Sequence, residues 1–192
     1  EDLNFNFINN VLPDSVIEFL EDFSKTKEYQ QIIRERRFVE NYKEQFAGMP
    51  YPPTFVTSDA VVFCQGHVLM IGRKSEPGKG LMALPGGFLN AATDKSVLDA
   101  AIRELKEETK IKVPIPVLKG CVKSEKVFDA IGRSARGRTI THAFNIVLPD
   151  LELPKVKGSD DALWARWIPL ADIKSEHCFD DHYDIIMHFV GG

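Results

Sequence analysis

The sequence predicts an α/β sandwich built on a mixed sheet and preceded by a helical hairpin. Three observations lead there: apolar residues at helical spacing through the first fifty positions, a switch to β-branched runs from Phe55 onward, and two later helical stripes set among further strands.

At 192 residues the chain suffices for one sizeable core with an appendage, since single cores span roughly 100–200 residues. The division expected is a helical extension or inter-domain linker over residues 1–50 and one main domain over residues 51–192. A hydrophobic fraction of 44% with 27% charged residues is the profile of a folded, water-soluble chain. Apolar runs fall short of the ~18 residues that cross a bilayer, and the opening EDLNFNFINN lacks the basic and apolar regions of a secretory leader.

Within residues 13–24, Val16, Phe19, Leu20 and Phe23 repeat at helical spacing, with Pro13 or Asp14 near the start. A second helix is expected after Thr26, a good N-cap, with Tyr29, Ile32, Ile33, Val39, Tyr42 and Phe46 on one stripe before the breaker from Gly48 to Pro53. The pair is expected to pack as an appendage without chemistry of its own.

The run TFVTSDAVVFCQGHVLMIGRK predicts two strands turning at Gln65-Gly66. PGKGLMALPGGF is dense in glycine and proline and is expected to be irregular, and Ser96 to Lys110 has helical spacing at Leu98, Ala101, Ile102 and Leu105. VLKGCVKS, RTITHAFNIVL and ALWARWIPL read as further strands, and DDHYDIIMHFV as a closing helix with Tyr183, Ile186, Met187 and Val190 on its apolar side.

Cys64, Cys121 and Cys178 are far apart, odd in number and form no CxxC pair, which argues against a disulfide framework or a zinc site and for a reducing cytoplasm. The net charge of -4 excludes a basic nucleic-acid binder, and an acidic chain that handles polyanions needs bound cations to do so. No nucleic acid and no membrane is expected as a partner. His67, His142, His177, His182 and His188 show no metal-ligand spacing.

On the helix after Ser96, Glu104, Glu107 and Glu108 stand three and four positions apart, so their carboxylates share one face beside the buried stripe. Their mutual repulsion costs a few tenths of a kcal/mol per pair, and Arg103, four before Glu107, is the obvious intrahelical counter-charge. A solvated face is the ordinary reading of such spacing. Hard divalent cations offer the other, since they take oxygen ligands from carboxylates and substrate phosphates together.

The surrounding residues decide between them. Leu84-Pro85-Gly86-Gly87 precedes the helix, and Arg103-Glu104-Leu105-Lys106-Glu107-Glu108-Thr109-Lys110-Ile111 on it closely resembles the Nudix box. The resemblance has departures. The stretch from Gly87 to Arg103 is two residues longer than the family pattern, Lys95 stands where a first glutamate belongs with Asp94 beside it as substitute, and Lys110 replaces a late glycine. RGRTITHAF, PYPPTFVTSDAVV, PGKGLMALPGGF, LPKVKGSDDA and FDDHYDII resemble the ADP-ribose pyrophosphatase domain of bifunctional nicotinamide-mononucleotide adenylyltransferase/Nudix proteins, over nearly the whole chain.

That resemblance implies a Nudix-type α/β/α sandwich and hydrolysis of ADP-ribose, a small-molecule nucleotide substrate, to AMP and ribose 5-phosphate in nicotinamide-nucleotide turnover. It implies magnesium as cofactor, with manganese as the alternative, held by Glu104, Glu107 and Glu108 and a backbone carbonyl of Gly86 or Gly87, with Glu107 and Glu108 counted as catalytic. Asp160 or Asp161 would be the general base, with Glu125 behind them. An adenylyltransferase domain would lie upstream of Glu1, and homo-oligomerisation is left open.

Arg133, Arg136 and Arg138, crowded beside Gly132 and Gly137, form a loop whose guanidinium groups suit a diphosphate or a terminal ribose phosphate, though by itself a basic loop is more often solvated surface. Phe55 or Phe128 could stack on adenine, but strand aromatics are usually core. Two other functions remain: another nucleoside diphosphate derivative as substrate, or a non-catalytic ADP-ribose sensor. A sensor is expected to lose box glutamates and carry a basic winged helix, and neither feature is seen.

Overall fold

The structure, a computed structural model, describes residues 11–149 and 152–191. The opening EDLNFNFINN, read above as carrying no leader, lies outside the described residues.

Two helices come first, α1 (Asp14–Ser24) and α2 (Lys27–Glu44), and the hydroxyl of Thr26 caps α2 by accepting from the Tyr29 N–H at 3.2 Å. Strand β1 (Thr54–Cys64) turns at Gln65-Gly66 into β2 (His67–Arg73). Both turn residues have positive φ, 48° and 70°, the geometry that a two-residue hairpin needs to match strand twist. Two short strands follow, β3 (Met82–Ala83) and β4 (Gly86–Phe88), in the segment that its glycine and proline content predicts to be irregular. Then come α3 (Val97–Thr109), α4 (Ile115–Gly120), β5 (Val122–Phe128), β6 (Arg138–Val147), β7 (Ala162–Pro169) and α5 (His182–Val190). The VLKG part of VLKGCVKS is thus helical rather than extended, because Pro114 starts a helical turn just before it.

The seven strands form one mixed sheet of order β3-β2-β1-β6-β5, with β4 added to β1 and β7 to β2. Strand β1 runs parallel to β6 over ten residue pairs, from Thr54↔Arg138 to Phe63↔Val147, and every other pairing is antiparallel. The central residues of β1, Ala60, Val61 and Val62, are fully buried, as expected of a strand covered on both faces.

Its alternation feeds two cores. Ala60, Val62 and Cys64 face Ala101, Ile102 and Leu105 of α3 and Leu118 of α4, and Val61 faces Ile185 and Ile186 of α5. Helices therefore cover both sides of the sheet, the α/β/α arrangement expected. Leu105 is fully buried, and truncating such a leucine to alanine costs roughly 2–5 kcal/mol. On α5 Ile186 is buried and Tyr183 and Met187 pack against the core as the spacing predicts, Ile185 and His182 are buried beside them, and Val190 is 48% exposed. The three cysteines are free. Among the described residues no helix is long and apolar enough to cross a membrane.

Helices α1 and α2 have no buried residues. The end of α2 and the turn after it meet the sheet through aromatic rings, Tyr42 and Phe46 lying 5.8 and 5.3 Å from Phe55 at the start of β1.

Candidate functional site

Helix α3 carries the glutamates, and its packing fixes where they point. Ser96 caps the helix, accepting from the Asp99 N–H at 3.1 Å, and the buried stripe locks its rotation. Glu104 and Glu108 are thereby turned toward β4. Gly86 and Gly87 on β4 let them come close: a methyl group at Gly87 would sit 2.5 Å from Oε1 of Glu104. A methyl at Gly86 would collide with Asp59 and the Ser58 carbonyl on β1.

Arg103 organises the cluster. Its Nε and Nη2 grip both oxygens of Asp94 at 2.8 Å, and its Nη1 reaches Glu104 at 2.8 Å and Glu107 at 3.0 Å. Asp94 also accepts from the Asn90 N–H at 2.8 Å, and the two interactions hold its carboxyl down at about 2. Asp94, rather than Lys95, thus supplies the acid that braces the box arginine, and the longer loop delivers it there. At the far end of α3, Lys110 takes the left-handed conformation (φ 48°) as C-cap, a geometry that glycine adopts without strain.

Glu108 is 5% exposed. Burial pushes its carboxyl up to about 8, against one hydrogen bond from the Gly86 N–H at 3.0 Å, with Glu104, Asp59 and Asp161 adding to the rise. Burial raises Glu104 as well. Clustered carboxyls driven toward neutrality are what a nearby cation reverses. The donors are hard oxygens without a competing thiolate or imidazole, which suits magnesium or manganese. Among the described residues no three acidic, histidine or cysteine side chains converge into a ready-made metal cluster. Arg103 holds Glu104 and Glu107, and Gly86 donates its N–H to Glu108.

A cleft of about 460 Å³ opens over this helix, lined by Gly86, Gly87, Phe88, Arg103, Glu104, Glu108, Arg136 and Asp161, with Arg73, Lys74 and Glu76 opposite. It brings together acids, glycines and one arginine of the loop. Glu107 does not line the cleft; its side chain is 43% exposed and paired to Arg103. Asp161 faces the cleft, whereas Asp160 adopts φ 58° and its carbonyl accepts from Lys74 Nζ at 3.2 Å. Glu125 is exposed on β5, opposite Phe144, away from the cleft.

The three loop arginines diverge. Arg133, its side chain 6% exposed, forms a bidentate pair with Asp181 at 2.8 and 2.7 Å. Arg138 donates to the Asp129 carbonyl. Arg136 lies over the Phe88 ring, 4.8 Å from its centroid, with its Nε buried and without a partner among the described residues. Phe55 packs edge-on to Phe88 at 5.7 Å, and Phe128, half-buried, packs against His188 and Phe189 on α5.

Behind Gly86 and Gly87 lies a smaller polar recess of about 70 Å³, walled by Asp59, Arg73, Arg133, Arg136, Asp180 and His182. Asp59 is 5% exposed and accepts from the Thr141 hydroxyl at 2.5 Å, and burial raises its carboxyl to about 6. His182 accepts from the Leu84 N–H at 2.9 Å, and burial presses its imidazole down to about 3. Sequence reasoning passed over Asp59, although an aspartate amid an apolar strand is a visible signal. Asp181 and Arg73 carried none, since their partners are set by the fold.

A family model described as the NUDIX domain matches residues 54–189. The chain is 30% identical over 164 residues, 85% of its length and 86% of the relative's, to an ADP-ribose pyrophosphatase of Methanocaldococcus jannaschii. It is similar, at 40% identity and a TM-score of 0.87, to the structure of a bifunctional NMN adenylyltransferase/ADP ribose pyrophosphatase from Francisella tularensis complexed with AMP and a manganese ion, covering 92% of this chain and 52% of that one. The chain thus spans about half the length of the Francisella protein. It is also 26% identical over 147 residues, 74% of its length and 55% of the relative's, to the ADPR responsive transcriptional repressor NtrR of Acinetobacter baylyi.

Proposed function

The chain belongs to the Nudix family, a family of hydrolases that generally use divalent metals, and on that premise we propose that it cleaves the diphosphate bridge of ADP-ribose to AMP and ribose 5-phosphate with magnesium bound. The observation that carries the reading is the cleft itself, which Glu104, Glu108 and Asp161 line together with Gly86, Gly87 and Arg136. The relatives named as ADP-ribose pyrophosphatases support the choice of substrate. Residues 51–192 would form the hydrolase domain, with the hairpin before it as an extension or linker.

In this reading Glu104, Glu107 and Glu108 hold the metal. Bound there, it would neutralise diphosphate charge and make water a better nucleophile. Arg136 takes the negative charge of the non-bridging oxygens, with Phe88 holding its guanidinium flat. Arg103 keeps the glutamates in place and does not touch substrate. Asp161 takes the proton of the attacking water, and its position in the cleft ranks it above Asp160 and Glu125.

The test is a panel of nucleoside diphosphate derivatives incubated with the purified chain and magnesium, with products identified by mass. ADP-ribose should turn over fastest, and Glu108→Gln and Asp161→Asn should each lower kcat by on the order of 10²-fold or more. Faster release of products from another diphosphate would overturn the substrate, and full activity of Glu108→Gln would overturn the metal assignment. The similarity to the NtrR repressor raises a second reading, a sensor that binds ADP-ribose without turning it over. The intact Glu104, Glu107 and Glu108 favour the enzyme.

A further inference from the structure

Beside the carboxylate cleft, where the end of α2 meets β1, lies an apolar groove of about 320 Å³ lined by Phe46, Met49, Pro52, Pro53, Phe55 and Arg136. Arg136 borders both cavities. The dividing wall is aromatic: Phe55 lines the groove, Phe88 lines the cleft, and their rings meet edge-on at 5.7 Å. The guanidinium of Arg136 lies over Phe88, with a buried Nε that has no partner among the described residues.

We propose that this groove receives the purine ring of the nucleotide whose diphosphate lies in the cleft. The proposal rests on the hydrolase reading above, and it makes the end of α2 a wall of the substrate site rather than packing alone. A purine is a flat apolar plate with a polar edge. Aromatic rings, prolines and a methionine thioether offer it broad apolar surfaces, and an arginine on the rim can both stack and donate. The groove falls in the size range of small-molecule sites, roughly 300–1,000 Å³. The charges divide in the same way: acids and glycines crowd the cleft where phosphates and metal belong, while the groove presents apolar side chains beside arginines. Arg136 stands where a nucleotide's phosphate and base portions would join, and its unpartnered Nε awaits an acceptor on either side.

Met49 reports on the groove directly, since it is 52% exposed and sits apart from Met70, Met82 and Met187 of the sheet and α5. With methyl-labelled methionine in the full chain, AMP should shift the Met49 signal by ring current, and ribose 5-phosphate should leave it in place. Ala47, exposed on the groove's edge, provides the complementary variant. Ala47→Trp should weaken AMP binding by calorimetry about tenfold or more, with ribose 5-phosphate affinity and melting temperature unchanged. Met49→Asp, also at the surface, should act in the same direction. A silent Met49 signal at millimolar AMP, or AMP affinity unaltered in both variants, overturns the proposal. Since these are binding measurements, failure of the hydrolase reading would appear separately, as absent turnover of ADP-ribose by a protein that still binds AMP through the groove.

Discussion

Gly87→Ala offers a sharp test of how the site is held. The added methyl would lie 2.5 Å from Oε1 and 2.7 Å from Cδ of Glu104. Restoring an ordinary contact of ~3.5 Å requires the carboxylate to retreat by roughly 1 Å. It has little freedom to do so, because Arg103 holds Oε1 at 2.8 Å and is itself gripped by Asp94. Misplacement approaching 1 Å at a reacting centre costs on the order of 10²-fold, or about 2.7 kcal/mol of barrier. Gly87 needs no left-handed backbone, so the fold should tolerate alanine and the melting temperature should change little. Steady-state hydrolysis of ADP-ribose with magnesium, alongside a thermal melt, separates the two effects. Activity within threefold of wild type at unchanged stability would refute the geometry. Gly86→Ala is the contrast: its methyl meets the Ser58 backbone carbonyl, which cannot swing aside, so stability should fall by roughly 1–3 kcal/mol.

The remaining expectations concern the brace and the frame. Arg103→Lys and Asp94→Asn should each lower kcat about tenfold, and the double variant should be little worse than either, because both break one clamp; additive losses would show that the two act separately. Lys110→Gly should raise stability by up to about 1 kcal/mol without altering activity, since relief of the left-handed residue outweighs the added freedom of the unfolded chain; an unchanged denaturation midpoint would count against it. His182 is pressed from 6.5 to about 3 in the fold, so the unfolded chain binds the extra proton between those values. Stability should therefore be intact above about pH 6.5 and decline as pH falls toward 3. His182→Gln, which keeps an acceptor for the Leu84 N–H, should flatten that slope, and identical slopes in thermal melts across pH 4–7 would remove His182 as the cause.

Much of the fold could be read from periodicity. The long helices and β1, β2, β6 and β7 each carry enough residues for their spacing to declare itself, and Gln65-Gly66 marks a hairpin by its turn chemistry. The short strands β3 and β4 have two and three residues, too few for a pattern, and exist because β1 and β2 offer them partners. In the site, the glutamates and glycines were legible because a helix fixes their spacing. The arginine loop was legible only as a cluster. That Arg133 would turn inward to Asp181, 48 positions away, while Arg136 remained over Phe88, is decided by where α5 and β4 come to rest. Asp94 could be named as a substitute acid, but its grip on Arg103 depends on the path of the preceding loop.

That loop bears on how such sites vary. Asn90 and Asp94 close a small turn on themselves, with the Thr93 and Asp94 N–H groups on the Asn90 carbonyl at 3.1 and 2.9 Å and the Ala92 N–H on the Asn90 side chain at 3.0 Å. Extra residues are absorbed in this knot, and the acid still arrives at the arginine. Lengthening a surface loop costs little in closure entropy, only about 0.6 kcal/mol for a full doubling. Insertions here are therefore nearly free, provided one carboxylate completes the journey. Motif searches that count residues between the glycine and the arginine will under-recognise chains of this kind, and a search for an acid able to reach the arginine in space will recover them.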